Sequence, residues 1–256
     1  MQNADATSDI LFPGERMDAV NDRLSLIQKP EGLTFGTDAL LLAGFVKGDA
    51  KNRLLELGGG SGIISLLLAA RGKCKSALCA EAQPEYESLI RRNVALNRME
   101  DKVFPLLADI REHSLLGEKG SFDTVCTNPP YFPQGSGPES QGQKKNIARR
   151  EILGDIYDFA AAAGYALRWG GNFFCVYRAD RLPDLFDAMR RAEIEPKTLL
   201  PVMADAQAAP VLVLVEGKKN GKPGLRFPKP FCLYKEGTRE NSPEMETLLE
   251  SGVLPY

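Results

Sequence analysis

At 256 residues the chain can bury a substantial core, and one α/β domain with decorations is the expected organisation. Its 43% apolar and 26% charged residues are ordinary for a soluble globular protein. No apolar run approaches the roughly 18 residues of a membrane span and no signal peptide opens it, so a cytoplasmic location and no membrane contact are expected. Five dispersed cysteines without a C-x-x-C pair, and a single histidine, His113, argue against a zinc site and a disulfide framework.

Residues 1–22 are polar and acidic (Asp5, Asp9, Glu15, Asp18 and Asp22 against Arg16) and are expected to be loosely held. A short strand is expected over Arg23–Gln28, ended by Pro30 and Gly32. Thr37 or Asp38 is placed to N-cap an apolar helix from Ala39 to Phe45, whose start would lie over a ligand pocket. Next comes Arg53–Leu57, an apolar strand that runs into Gly58-Gly59-Gly60-Ser61-Gly62 and a helix from Ile63 to Ala70. Glycines at 58, 60 and 62 permit positive φ and let a ligand approach without meeting a Cβ. A dinucleotide fingerprint needs a small residue where Ile63 stands, and a phosphate loop needs a lysine that this turn lacks.

A second strand, Lys75–Ala80, ends at Glu81, and Pro84 opens a helix from Glu85 to about Asn97. Glu81 follows the glycine turn by about 20 residues, where a nucleoside-binding sheet places an acid on the ribose diol. The third strand, Val103–Ala108, delivers Asp109, suited to accept from an adenine amino group. The fourth, Phe122–Cys126, runs into Asn128-Pro129-Pro130-Tyr131. A helix (152–168), a strand (172–177), a helix (181–192) and two strands (198–203, 210–215) follow. Such alternation predicts an α/β fold with a doubly wound, mostly parallel, seven-stranded sheet, with ligands at the C-terminal strand ends. Glu56, Glu81, Asp109 and Asn128 all stand at such ends. Residues 23–235 form one domain in this reading, and residues 236–256 an acidic tail.

Two motifs carry the chemistry. Glu56 to Gly62 spell E-x-G-x-G-x-G, which resembles the first motif of the S-adenosylmethionine-dependent methyltransferases. Asn128-Pro129-Pro130-Tyr131 suits an amine whose lone pair is delocalised, such as the exocyclic nitrogen of adenine. To attack a methyl sulfonium that nitrogen must become more tetrahedral. The Asn128 amide oxygen and the Pro129 carbonyl are two acceptors for its hydrogens, held in place by the prolines. Tyr131 offers a face on which an extruded base stacks. No metal and no strong base is called for, in keeping with a single histidine.

Together with Arg23–Gln28, Phe35-Gly36-Thr37-Asp38-Ala39, Ile147–Glu151 and Val213–Gly217, these motifs resemble the tRNA1(Val) adenine N6-methyltransferase family, Rossmann-like enzymes that methylate the adenine just 3′ of the anticodon. The resemblance implies S-adenosylmethionine as cofactor, held by Thr37, Glu56, Gly58, Gly60, Glu81 and Asp109, with Asn128, Pro129, Pro130 and Tyr131 holding the adenine. Gly59 occupies a position at which relatives vary, and the chain beyond Lys218 is variable in such enzymes.

RNA, with tRNA foremost, is the expected partner. Charge resolved along the chain shows two basic clusters, Lys144, Lys145, Arg149, Arg150 and then Lys218, Lys219, Lys222, Arg226, Lys229. The first follows the N-P-P-Y loop, where phosphates beside the reacting base must pass. The second is expected on a turn at 217–221. Guanine N2-methylation of ribosomal RNA and glutamine methylation of a protein fit the same loop, although the glutamine enzymes resemble this domain preceded by a helical one and only about 50 residues precede the glycine turn here. DNA adenine methylation lacks a separate target-recognition domain. A non-catalytic RNA-binding module is the remaining alternative, and intact acidic positions and Asn128 weigh against it.

Overall fold

The computed structural model describes residues 11–29, 36–130 and 154–256. The first elements are an antiparallel hairpin, β1 (Arg16–Asn21) against β2 (Leu24–Gln28). Residues 11–22 are therefore not loose, as their polarity suggested. Three long-range contacts hold them. Glu15 takes a bidentate ion pair from Arg92 at 2.5 and 2.8 Å, and Phe12 stacks on the same guanidinium. On the inner strand, Leu24 and Leu26 are fully buried.

The helix α1 (Thr37–Phe45) comes next, with Gly36 as its N-cap and no side-chain cap bond, so neither Thr37 nor Asp38 caps it. Then strands and helices alternate: β3 (Arg53–Leu57), α2 (Ile63–Ala70), β4 (Ser76–Glu81), α3 (Pro84–Leu96), β5 (Val103–Leu107), β6 (Phe122–Thr127), α4 (Ile156–Ala166), β7 (Leu167–Arg178), α5 (Leu182–Arg191), β8 (Ile194–Met203) and β9 (Pro210–Lys219). The fourth helix begins at Ile156 because Asp155 and Asp158 form a reciprocal capping box there.

The main sheet has the order β5-β4-β3-β6-β7-β9-β8, with β9 antiparallel to both neighbours and the first five parallel. This is the Rossmann-like, doubly wound arrangement expected. One two-residue strand, β10 (Phe231–Cys232), adds in parallel beside β8 and makes the count eight. Two residues carry too little periodicity to be read as a strand in advance. A last helix, α6 (Pro243–Ser251), is capped by Ser242, whose hydroxyl accepts from the Met245 N–H at 3.0 Å.

Strand alternation sorts the core. Leu54 faces a cluster built with α1, α2, α6 and part of α3, whereas Leu55 and Leu57 face one built with α4 and α5. The segment expected as an acidic tail belongs to the first cluster, since Met245, Leu248 and Leu254 are buried in it. Its acids Glu244 and Glu246 lie on the first turn of α6, where the helix dipole favours them.

The second basic cluster is also changed by folding. β9 extends through Lys219, whose ammonium is buried against the Ala192 carbonyl and Glu193, both at 2.9 Å, so it is not presented to a partner. The first cluster (Lys144, Lys145, Arg149, Arg150) and Tyr131 lie outside the described residues.

Candidate active site

The glycine turn links β3 to α2 with Gly58, Gly60 and Gly62 at φ of 74°, 57° and 79°, a region in which L side chains are strained. What a Cβ would meet differs at each. At Gly58 it would press on the Phe159 ring at 3.2 Å, and at Gly62 on Ile90 at 2.9 Å. At Gly59 it would run into the Cys79 sulfur, so this position, at which relatives vary, is confined by packing in this chain. Only at Gly60 among these four is there nothing within 4 Å among the described residues. Gly60 is thus where the turn is open on its outer side.

The turn is tied from three sides. The Gly58 and Gly59 N–H groups donate to the Ala80 carbonyl at 2.9 and 3.0 Å. The Gly60 N–H donates to Glu81 Oε2 at 2.9 Å, while Glu81 Oε1 accepts from the Gln83 N–H. From α3, the fully buried Asn93 donates to the Ser61 carbonyl at 2.9 Å and clamps Ile27 of β2 through both its N–H and its carbonyl. Asn97, one turn on, does the same to Ser25. Neither asparagine was singled out in the sequence. The signal present there was two amides spaced i, i+4 on one helix.

Three carboxylates stand near these strand ends in different settings. Glu56, on the Leu54 side of β3, lies beneath the start of α2. It accepts the Ser65 hydroxyl and the Ser65 N–H at 2.9 Å, so it caps that helix from the neighbouring strand. Burial pushes its pKa up to about 7 despite those bonds. Its other oxygen, Oε1, is buried without a partner among the described residues. Asp109 forms a side-on pair with Arg111, at 2.5 to 3.0 Å, and that guanidinium holds its carboxyl below the ordinary range. Glu81 is buried at the turn, as above.

Asn128 follows β6, where Thr127 is the register partner of Leu57, so Asn128 and Gly58 leave adjacent strands at the same level, about 4.8 Å apart in strand spacing. The Thr127 hydroxyl locks the two strand ends together through the Leu57 carbonyl at 2.9 Å. Asn128 Nδ2 donates to Asp38 Oδ2 at 3.0 Å, which brings the first turn of α1 over the strand ends. Thr37 is exposed beside it, Pro129 is buried, and Pro130 is half-buried. A cleft of about 640 Å³ at the other end of α1, around Phe45, Lys47, Phe227 and Tyr256, contains none of these residues and is a separate feature.

Residues 31–183, more than half of the chain, match the family model of the methyltransferase small domain. The chain belongs to that family. The family is one of methyltransferase domains, for which S-adenosylmethionine is the methyl donor. The open side of Gly60 and the buried Glu56 oxygen that has no partner among the described residues fit such a group. Two similar curated proteins, from Phocaeicola vulgatus and Shewanella amazonensis, are both named tRNA1(Val) (adenine(37)-N6)-methyltransferase. The first is 32% identical over 57% of this chain and 59% of its own length, the second 34% over 44% and 47%. The chain thus spans about half to three fifths of the length of these relatives. Among solved structures, a predicted O-methyltransferase, protein Atu636 from Agrobacterium tumefaciens, superposes with a TM-score of 0.69 at 21% identity, over 86% of this chain and 98% of that one. P. horikoshii TYW2 in complex with MeSAdo does so at 0.57 and 14% identity, over 82% and 73%. Both share the fold of the methyltransferase small domain seen here. Among the described residues no cluster of His, Cys, Asp or Glu could hold a metal ion, and no helix is long and apolar enough to cross a membrane.

Proposed function

We propose that this methyltransferase modifies N6 of an adenine in RNA, and that the RNA is tRNA, methylated next to the anticodon. The observation that carries the reading is Asn128 beside the glycine turn with its amide nitrogen already engaged by Asp38. With its nitrogen held on Asp38, the amide oxygen is the group Asn128 would offer a substrate amine, whose hydrogens need acceptors. The names of the similar curated proteins support tRNA as the substrate and adenine as the base.

S-adenosylmethionine supplies a methyl group made electrophilic by its sulfonium. The residues of the chain do the rest. Asn128 Oδ1 and the Pro129 carbonyl accept the two hydrogens of the adenine amine as its nitrogen becomes tetrahedral, an interaction strongest in the transition state. Tyr131 stacks on the extruded base. Glu81 accepts from the ribose hydroxyls, Asp109 accepts from the cofactor's adenine, and Glu56, Gly58, Gly60 and Thr37 line the remainder. Asp109 stays an anionic acceptor because Arg111 holds its charge. After transfer the methylated nitrogen is acidic and gives its extra proton to water. Lys144, Lys145, Arg149 and Arg150 hold phosphates on either side of the reacting nucleotide.

The test is to incubate the purified protein with labelled S-adenosylmethionine and unmodified tRNA transcripts, then to digest and weigh the nucleosides. N6-methyladenosine next to the anticodon is expected. N2-methylguanosine from ribosomal RNA, or methylated glutamine from a protein, with unlabelled tRNA, would overturn the reading.

A further inference from the structure

Resting on that reading of Asn128, we infer that Asp38 is a positioning residue that sets which way the Asn128 amide faces. A carboxamide has two ends of similar size, one accepting and one donating, and only the accepting end serves an amine substrate. Something must choose between them. Asp38 Oδ2 receives Asn128 Nδ2 at 3.0 Å, across 90 residues of sequence. An ionised carboxylate only accepts, so turning the amide over would set its oxygen against another acceptor. The flipped orientation loses a charge-assisted hydrogen bond and gains a repulsion.

Asp38 is itself held. Its Oδ1 accepts from the Ala39 N–H at 2.9 Å, and Gly36 leaves room for the folded-back carboxylate, since a Cβ there would lie 2.7 Å from Oδ1. The two oxygens therefore have separate tasks, one on the helix start and one on Asn128. This division makes the test unusual. In Asp38→Asn the side-chain oxygen stays with the Ala39 N–H, and the new NH2 group faces Asn128. It then favours the wrong face of that amide. Asp38→Ala removes the Asp38 contribution without misdirecting the amide.

The expected order of kcat is wild type, then Asp38→Ala, then Asp38→Asn, with the last lowered about ten- to a hundredfold, the scale of a lost hydrogen bond to a charged group. The dissociation constant for S-adenosylhomocysteine should hold within about twofold in both variants. In an Asn128→Ala background, Asp38→Asn should lower kcat no further. A purely structural role gives the opposite order, because asparagine is the closer replacement, and additive effects with weakened cofactor binding. Either result overturns the inference. Should Asn128→Ala itself turn over normally, the proposed role of Asn128 fails. Should Asn128→Ala be impaired while Asp38→Asn is not, only the role of Asp38 fails.

Discussion

Glu56 shows what burial does to a single side chain. Its carboxyl, ordinarily at 4.5, is pushed up to about 7 because desolvation of the anion outweighs the two bonds from Ser65. The folded state therefore holds this proton more tightly than the unfolded chain does. The stability it contributes is full below about pH 4.5 and is lost as pH rises through about 7. Relative to Glu56→Gln, which cannot titrate, the wild type should lose up to about 3 kcal/mol between those limits. Denaturant unfolding of both proteins at pH 4.5 and pH 8 measures this, and parallel pH profiles would refute it. Glu81 has a double task, because its carboxylate already receives the Gly60 and Gln83 N–H groups. Glu81→Ala should weaken S-adenosylhomocysteine binding by roughly 1–3 kcal/mol in calorimetry, with unchanged affinity counting against a cofactor role.

At the scale of elements, the site depends on α3 as much as on the strands that carry its acids. Asn93 joins the hairpin to the glycine turn with one buried amide, contacting Ile27 and Ser61 through three hydrogen bonds. Asn93→Ala should strand those three backbone groups and cost roughly 2–4 kcal/mol. Cofactor affinity should fall with it, since the turn loses its outer support. Chemical denaturation and calorimetry on one preparation test both parts. A loss of stability with unchanged cofactor binding would show that the turn is held without α3. Gly59 makes the same point from the other side. Its freedom from side-chain bulk serves Cys79 and Ile90 of the neighbouring strand and helix.

Across the whole molecule, the last residues complete the first core cluster. Gly44 of α1 admits Leu248 of α6 and the backbone of Leu254 at distances that leave no room for a Cβ. Tyr256 lies on Phe45 with ring centres 5.1 Å apart. Leu248→Ala should therefore destabilise the whole domain by about 2–5 kcal/mol, the range for a fully buried leucine. A solvated tail predicts almost no change in denaturant midpoint. The measurement separates the two directly.

The order of strands and helices from β2 to β9, the glycine turn and the four polar strand ends were legible in the sequence. They follow from short-range rules: apolar periodicity, positive-φ glycines, and the run of a parallel sheet towards its C-terminal edge. What only the tertiary structure decided are contacts between distant residues. The hairpin is pinned by a pair 77 residues apart, Glu15 with Arg92, and the Asn128 amide is oriented by Asp38, 90 residues away. Local pattern carries no information about such partners, because a side chain's hydrogen bonds depend on what the fold sets against it. The acidic ends looked solvated for the same reason. Their charges were visible in the sequence, while the buried surfaces that bind Glu15 and Leu248 exist only once α3 and α1 are packed.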